Sequence, residues 1–258
     1  MAERNKLFDI QGRVIVVTGA SSGIGRSLAQ ALAARGARLA CIARRRDRLD
    51  TLVDDIVKSG DEAIAITCDV TDQASVRAMV DTTERKLGPI DVLVNNAGIS
   101  IPKPVLDISL EEWDRVIGTN LGAAFMVAQE VGKRMATRGR GSIINISSIA
   151  AYRSFALAPA YGAAKAGLNN LTETMAVVLA EKGVRVNGIA PGVFNSELGD
   201  NYAKRHPEHR ARGLERVPMR RVGEHEELVG PVVLLASDAS SYMTGSTLIV
   251  DGGATFAR

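Results

Sequence analysis

Short runs of aliphatic and β-branched residues alternate with longer stretches in which apolar positions recur every three or four residues. The strand-like runs are Arg13–Thr18, Arg38–Ala43, Ala63–Asp69, Ile90–Asn95, Ser142–Ser147, Arg185–Ala190 and Thr247–Val250. Between them, helical periodicity covers Ile24–Arg35, stopped by Gly36, and Asp47–Ser59, stopped by Gly60. It returns over Ala74–Leu87, Glu111–Arg138, Ala158–Glu181 and Glu226–Ala236. The runs are almost continuously apolar, as strands buried on both faces must be. With right-handed crossovers, strands alternating with helices predict an α/β fold: a doubly wound, Rossmann-like parallel sheet of about seven strands, with helices on both faces.

Length and composition narrow this picture. A chain of 258 residues, 46% hydrophobic and 4% aromatic, suits one domain spanning residues 1–258. No Pro/Ser-rich linker, repeat or low-complexity tract divides it. The formal charge of +3 leaves no footprint for nucleic acid, so the basic clusters Arg44–Arg46 and Lys204–Arg221 need local explanations. Cys41 and Cys68 sit inside apolar runs and predict buried free thiols without metal-ligand spacing. Pro207 separates His206 from His209 and no third ligand lies near, so no metal is expected. Met1–Asp9 lacks the apolar core of a secretory signal, and runs such as Val229–Ala236 are too short to span a bilayer. A reduced, cytoplasmic enzyme with no membrane partner is the expectation.

Two local patterns carry chemistry. Tyr161 and Lys165 lie four residues apart in a helical stretch, so their side chains share a face. An ammonium near a phenol favours the phenolate and makes the tyrosine a candidate acid/base for a carbonyl or alcohol oxygen. The same spacing also occurs by chance on solvated helices. Thr18-Gly19-Ala20-Ser21-Ser22-Gly23-Ile24-Gly25 joins the first strand to the first helix. Glycines there permit a tight turn and close approach of a pyrophosphate to a helix N-terminus. The spacing differs from G-x-G-x-x-G.

Together with Asn95-Asn96-Ala97-Gly98, Pro191-Gly192 and Val250-Asp251-Gly252-Gly253, these motifs resemble the short-chain dehydrogenase/reductase family over nearly the whole chain. Within it the chain is similar to gluconate 5-dehydrogenase-like and 3-oxoacyl-carrier-protein reductase-like members. The resemblance implies that Gly19, Ser21, Ser22, Gly23, Ile24 and Gly25 cradle a dinucleotide, with Asp69 and Val70 flanking the adenine. It implies that Asn96, Ala97 and Gly98 line the pocket, and that Pro191, Gly192 and Val193 pass the nicotinamide. Ser196 stands where relatives hold the carboxamide. At the end of the second strand, an acidic residue would select a ribose 2′-hydroxyl; Ala43-Arg44-Arg45 stands there instead. Guanidinium groups pair with phosphate, so NADP(H) is favoured over NAD(H), although Ser22 is neutral where related NADP enzymes often carry a basic residue. The arginines also suit a solvated turn.

For the chemistry, the resemblance implies Ser148, thirteen residues before Tyr161, as the hydroxyl that stabilises the reacting oxygen. Ser147 is left to backbone capping. Tyr161 is the acid/base, and Lys165 lowers its pKa and binds the nicotinamide ribose. Asn120 anchors a proton relay, although by itself it reads as an exposed helical asparagine. Residues 193–221 form a substrate lid whose basic residues suit either solvent or an anionic substrate. Arg153, Phe155 and Leu157 are expected to line the substrate cleft. The implied activity is NADP(H)-dependent interconversion of a small-molecule ketone and a secondary alcohol. An NAD-dependent polyol or sugar-acid dehydrogenase and a cofactor-sensing, non-catalytic regulator are the alternatives. A homotetramer is implied as well.

Overall fold

A strand covered on both sides must send apolar side chains both ways, and the first strand does so. Val14 and Val16 enter one core, Ile15 and Val17 the other. In the computed structural model, which describes residues 3–195 and 214–257, the strands are β1 (Val14–Thr18), β2 (Arg38–Ala43), β3 (Ala63–Thr67), β4 (Val92–Asn95), β5 (Gly141–Ile146), β6 (Val184–Pro191) and β7 (Thr247–Val250). They form one parallel seven-stranded sheet in the order β3-β2-β1-β4-β5-β6-β7. Chain direction across the sheet reverses between β1 and β4, so their carboxyl ends open a crevice there.

One face is covered by α1 (Gly23–Ala33), α2 (Arg46–Lys58) and a short late helix, and Leu28, Leu49 and Val232 pack there. The other face carries α3 (Gln73–Leu87), α5 (Ala123–Arg138) and α6 (Pro159–Ala180), through Met79, Val127 and Ala176. Each large aliphatic side chain buried completely in these layers contributes about 1.5–3 kcal/mol. Cys41 and Cys68 are buried free thiols, as expected.

Three departures from the sequence pattern have a clear physical cause. The single helix expected over Glu111–Arg138 is divided into α4 (Leu110–Ile117), a π-helical turn over Gly118–Gly122, and α5. Asn120 causes the break: its Nδ2 donates to Val116 O at 2.9 Å, taking a carbonyl from the helical ladder, and to Ile99 O at 2.8 Å. The helix expected over Glu226–Ala236 starts as a 3-10 turn, His225–Leu228, and becomes α7 only over Val229–Ala236. Pro231, which lacks an N–H, fits only in the first turn of an α-helix. The third strand stops at Thr67, short of Asp69, whose carboxylate instead accepts the N–H and hydroxyl of Thr71 in a local turn.

Candidate active site

Threonine at the end of β1 ties the first crossover to the exit of β4. Thr18 Oγ1 accepts the N–H groups of Asn96 and Ala97 at 2.9 and 3.0 Å, and Asn96 Nδ2 donates to Thr18 O at 2.9 Å. This brings the glycine loop against Asn96. A Cβ at Gly25 would fall 2.6 Å from Asn96 Nδ2, and Gly19, at φ +69°, would place one 2.9 Å from the same atom. Only glycine fits either position. At the start of α1, Ser22 makes no side-chain cap, and the first turn holds no acidic residue. Its N–H groups and the positive end of its dipole are therefore available to an anion.

Arg45 lies over the same loop. Its guanidinium donates to Ser21 Oγ at 2.9 Å and to Ser22 Oγ at 2.8 Å. A positive charge thus stands beside Ser22 although that residue is neutral. Asp69 lines the cleft nearby. The hydroxyl and N–H of Thr71, and then the charge of Arg44, hold its carboxyl below the usual range.

At the opposite end, α6 starts with Pro159 at its first position and carries Tyr161 and Lys165 one turn apart. Lys165 is 4% exposed, and its Nζ donates to Ile146 O at 2.8 Å and sits 5.5 Å from the Tyr161 ring centre. Burial pulls the lysine pKa down to about 8. The Tyr161 phenol stands above its ordinary value because burial outweighs the opposing hydrogen bond with Ser148. The depression expected from Lys165 is therefore not a property of the polypeptide alone: desolvation disfavours the phenolate, and the ammonium is engaged with a backbone carbonyl.

Ser148, in extended backbone, accepts the N–H of Ala150 at 3.1 Å and faces the phenol. Ser147 does not cap the strand. Its hydroxyl donates to Asn169 Oδ1 at 2.6 Å and binds β5 to α6. Asn120 is completely buried, not exposed, and its Oδ1 has no hydrogen-bond partner among the described residues. Gly98 makes that arrangement possible, since a Cβ there would lie 2.5 Å from Asn120 Oδ1 and 3.8 Å from Lys165 Nζ.

A continuous cleft of about 740 Å³ joins the two ends. It is lined by Gly19, Ser21, Ser22, Gly23, Ile24 and Gly25; by Arg44, Arg45, Asp69 and Val70; and by Asn96, Ala97, Gly98, Pro191 and Gly192. Asn120, Ser148, Tyr161 and Lys165 complete it. One expected member, Val193, is not among the lining residues. Val193 is tied through its carbonyl to Gly223 N at 2.9 Å, and Ser196 falls outside the described residues, as does most of the expected lid, including Lys204, His206 and His209. Arg153, Phe155 and Leu157 also miss the wall: Arg153 donates to Ala254 O instead, and Phe155 is 44% exposed. In their place stand Ile99, Ser100, Pro102, Phe194 and Asn195. These follow the glycine of one motif and the Pro-Gly of another, but no spacing in the chain marks them. His225 Nε2 lies 2.5 Å from Asn195 O and anchors that wall.

The family model described as enoyl-(acyl carrier protein) reductase matches residues 19–255. Gluconate 5-dehydrogenase from Gluconobacter oxydans is 40% identical over 249 residues, which cover 96% of this chain and 97% of that protein. The 3-oxoacyl-[acyl-carrier-protein] reductase from Synechocystis is 39% identical over 246 residues, 95% of this chain and 97% of that one. Among solved structures, a gluconate 5-dehydrogenase from Burkholderia cenocepacia in complex with NADP and tartrate superposes with a TM-score of 0.93 at 37% identity, covering 98% of this chain and 99% of that one.

Proposed function

The chain belongs to the short-chain dehydrogenase/reductase family, and from that premise we propose that it interconverts a small hydroxylated ketone and its secondary alcohol using NADP(H), with Tyr161 as acid/base. One observation carries the reading. Tyr161, Ser148 and Lys165 converge at one end of the cleft whose other end holds the open N-terminus of α1 and Arg45. Those donors suit a dinucleotide: free helix N–H groups for a pyrophosphate, and a guanidinium between two hydroxyls for a 2′-phosphate. Bound there, the nicotinamide cofactor supplies or takes up the hydride.

In the reducing direction Tyr161 Oη passes its proton to the substrate oxygen, and Ser148 Oγ holds that oxygen as charge develops. Lys165, mostly protonated at pH 7 with a pKa of about 8, stabilises the phenolate that remains. The replacement proton comes from solvent, by way of a water held by the backbone around Asn120 and linked to Lys165. Oxidation runs through the same groups in reverse.

For the substrate, Ser100 and Asn195 put polar groups on the wall, which supports a polyol or sugar acid. The name of the Gluconobacter relative and the tartrate in the Burkholderia complex support the same class. A cytoplasmic homotetramer completes the reading; exposed Leu110 on α4, Phe125 on α5, and Val177 and Val178 on α6 provide apolar surface for it.

The test is a panel of keto acids, ketoses, polyols and acyl thioesters assayed with both cofactors by absorbance of the reduced nicotinamide. Tyr161→Phe is expected to lower kcat by about 10³-fold with NADPH affinity within about twofold; a variant with wild-type turnover overturns the mechanism. Arg45→Ala is expected to raise KM for NADPH at least about tenfold, the loss of charge-assisted hydrogen bonds, while leaving NADH unchanged. Equal losses with both cofactors would contradict the assigned preference.

A further inference from the structure

Beneath the cleft a buried chain of polar side chains crosses from the sheet into α6. Asn95 Nδ2 donates to Ala124 O at 2.8 Å and to Asn145 Oδ1 at 3.2 Å. Asn145 Nδ2 donates to Thr172 Oγ1 at 2.9 Å, and the Thr172 hydroxyl donates to Leu168 O at 2.7 Å. Asn95 and Asn145 are directly paired neighbours on β4 and β5. All three residues are buried, Asn145 completely.

Burying two amides and a hydroxyl in an apolar layer costs free energy unless their bonds are made, and side chains of similar shape without polar atoms would pack the layer as well. What the polar chain adds is direction and register. Each end of it lies beside a reacting group. Asn95 immediately precedes the Asn96-Ala97-Gly98 loop, whose last member leaves room for Asn120 and Lys165. Ala124 stands in the first turn of α5, directly after the π-turn that carries Asn120. Asn145 is followed by Ile146, whose carbonyl takes the Lys165 ammonium, and then by Ser147 and Ser148. Leu168 lies one turn beyond Lys165 on α6.

We propose that the Asn95–Asn145–Thr172 chain is a positioning device, with Asn145 as its hub, that fixes Ser148, Asn120 and the Tyr161/Lys165 pair relative to one another. Its members touch neither substrate nor cofactor; they act through the backbones that do. This inference rests on the proposed acid/base role of Tyr161.

The test compares Thr172→Val, which keeps the shape and removes the hydroxyl, with Thr172→Ser, which keeps the hydroxyl and removes a methyl. Asn145→Ala provides a second break in the chain, and Tyr161→Phe is the control. The readouts are kcat and KM for the best panel substrate, NADPH affinity by fluorescence, the pH profile of kcat, and ionisation of the Tyr161 phenol in cofactor-free protein, followed by phenolate absorbance against Tyr161→Phe. All variants are assayed well below their melting temperatures.

Thr172→Val and Asn145→Ala should each lower kcat about tenfold or more, the cost of a small misplacement of reacting groups. NADPH affinity should hold within about twofold, and the phenol titration should move by at least about half a pH unit. Thr172→Ser should restore both values, and the Thr172→Val/Asn145→Ala double variant should be no worse than either single one. A purely structural chain would lower the melting temperature while leaving kcat, the pH profile and the phenol titration of the folded protein at wild-type values. That outcome, or equal losses in Thr172→Val and Thr172→Ser, overturns the inference. Wild-type turnover in Tyr161→Phe would instead overturn the acid/base reading, so the two failures are distinguishable.

Discussion

Lys165 combines a catalytic position with a thermodynamic penalty. Its ordinary pKa of 10.5 falls to about 8 in the folded chain because burial disfavours the ammonium. Between pH 8 and 10.5 the unfolded state binds more protons than the folded state, so stability rises with pH across that window. Below pH 8 the penalty is fully present, on the order of 3 kcal/mol. Lys165→Met should therefore be inactive yet melt at a higher temperature than the wild type at pH 7, with the advantage shrinking as pH rises toward 10. Calorimetry at several pH values checks this, and a pH-independent difference between the two proteins would contradict it. At this scale the Tyr161/Lys165 spacing was legible, because one helical turn sets it. Their ionisation was not, because it depends on how deeply a folded sheet buries them.

Among the elements, the π-turn between α4 and α5 has the clearest functional consequence. Asn120→Ala removes the donor shared by Val116 O and Ile99 O. The variant should lose about 1–3 kcal/mol of stability and lower kcat on the order of 10²-fold through misplacement of the site. Denaturant unfolding and turnover measure the two effects, and full activity in the variant would remove Asn120 from the site's construction. The apolar period over Glu111–Arg138 runs straight through this break, so the pattern of apolar positions does not mark it. Gly118 and Gly122 are its first and last residues, but glycines within a helical pattern do not by themselves specify a π-turn. The ends of the strands were more legible: β1 and β5 begin and stop within a residue of their apolar runs, because burial on both faces favours apolar residues along most of each strand.

At the scale of the whole molecule, large apolar side chains remain exposed on α4, α5 and α6 among other places. Val177 is 78% and Leu110 82% exposed, and a proposed tetramer would cover such surface. Val177→Glu should shift the sedimentation coefficient toward smaller species and leave the monomer's secondary structure intact by circular dichroism; an unchanged assembly would place the interface elsewhere. By itself the sequence determined the alternation of strand and helix, the glycine turn after β1 and the Tyr161/Lys165 pair, because each depends on periodicities and steric limits that act over a few residues; Ser148 followed only from the resemblance to the family. Only the tertiary structure decided that Arg45 covers Ser21 and Ser22, that Asn120 is buried beside Gly98, that Arg153 binds Ala254 O, and that Asn95, Asn145 and Thr172 form one chain. Those contacts join residues distant in sequence, and their geometry follows from strand order and helix packing, which no local pattern encodes.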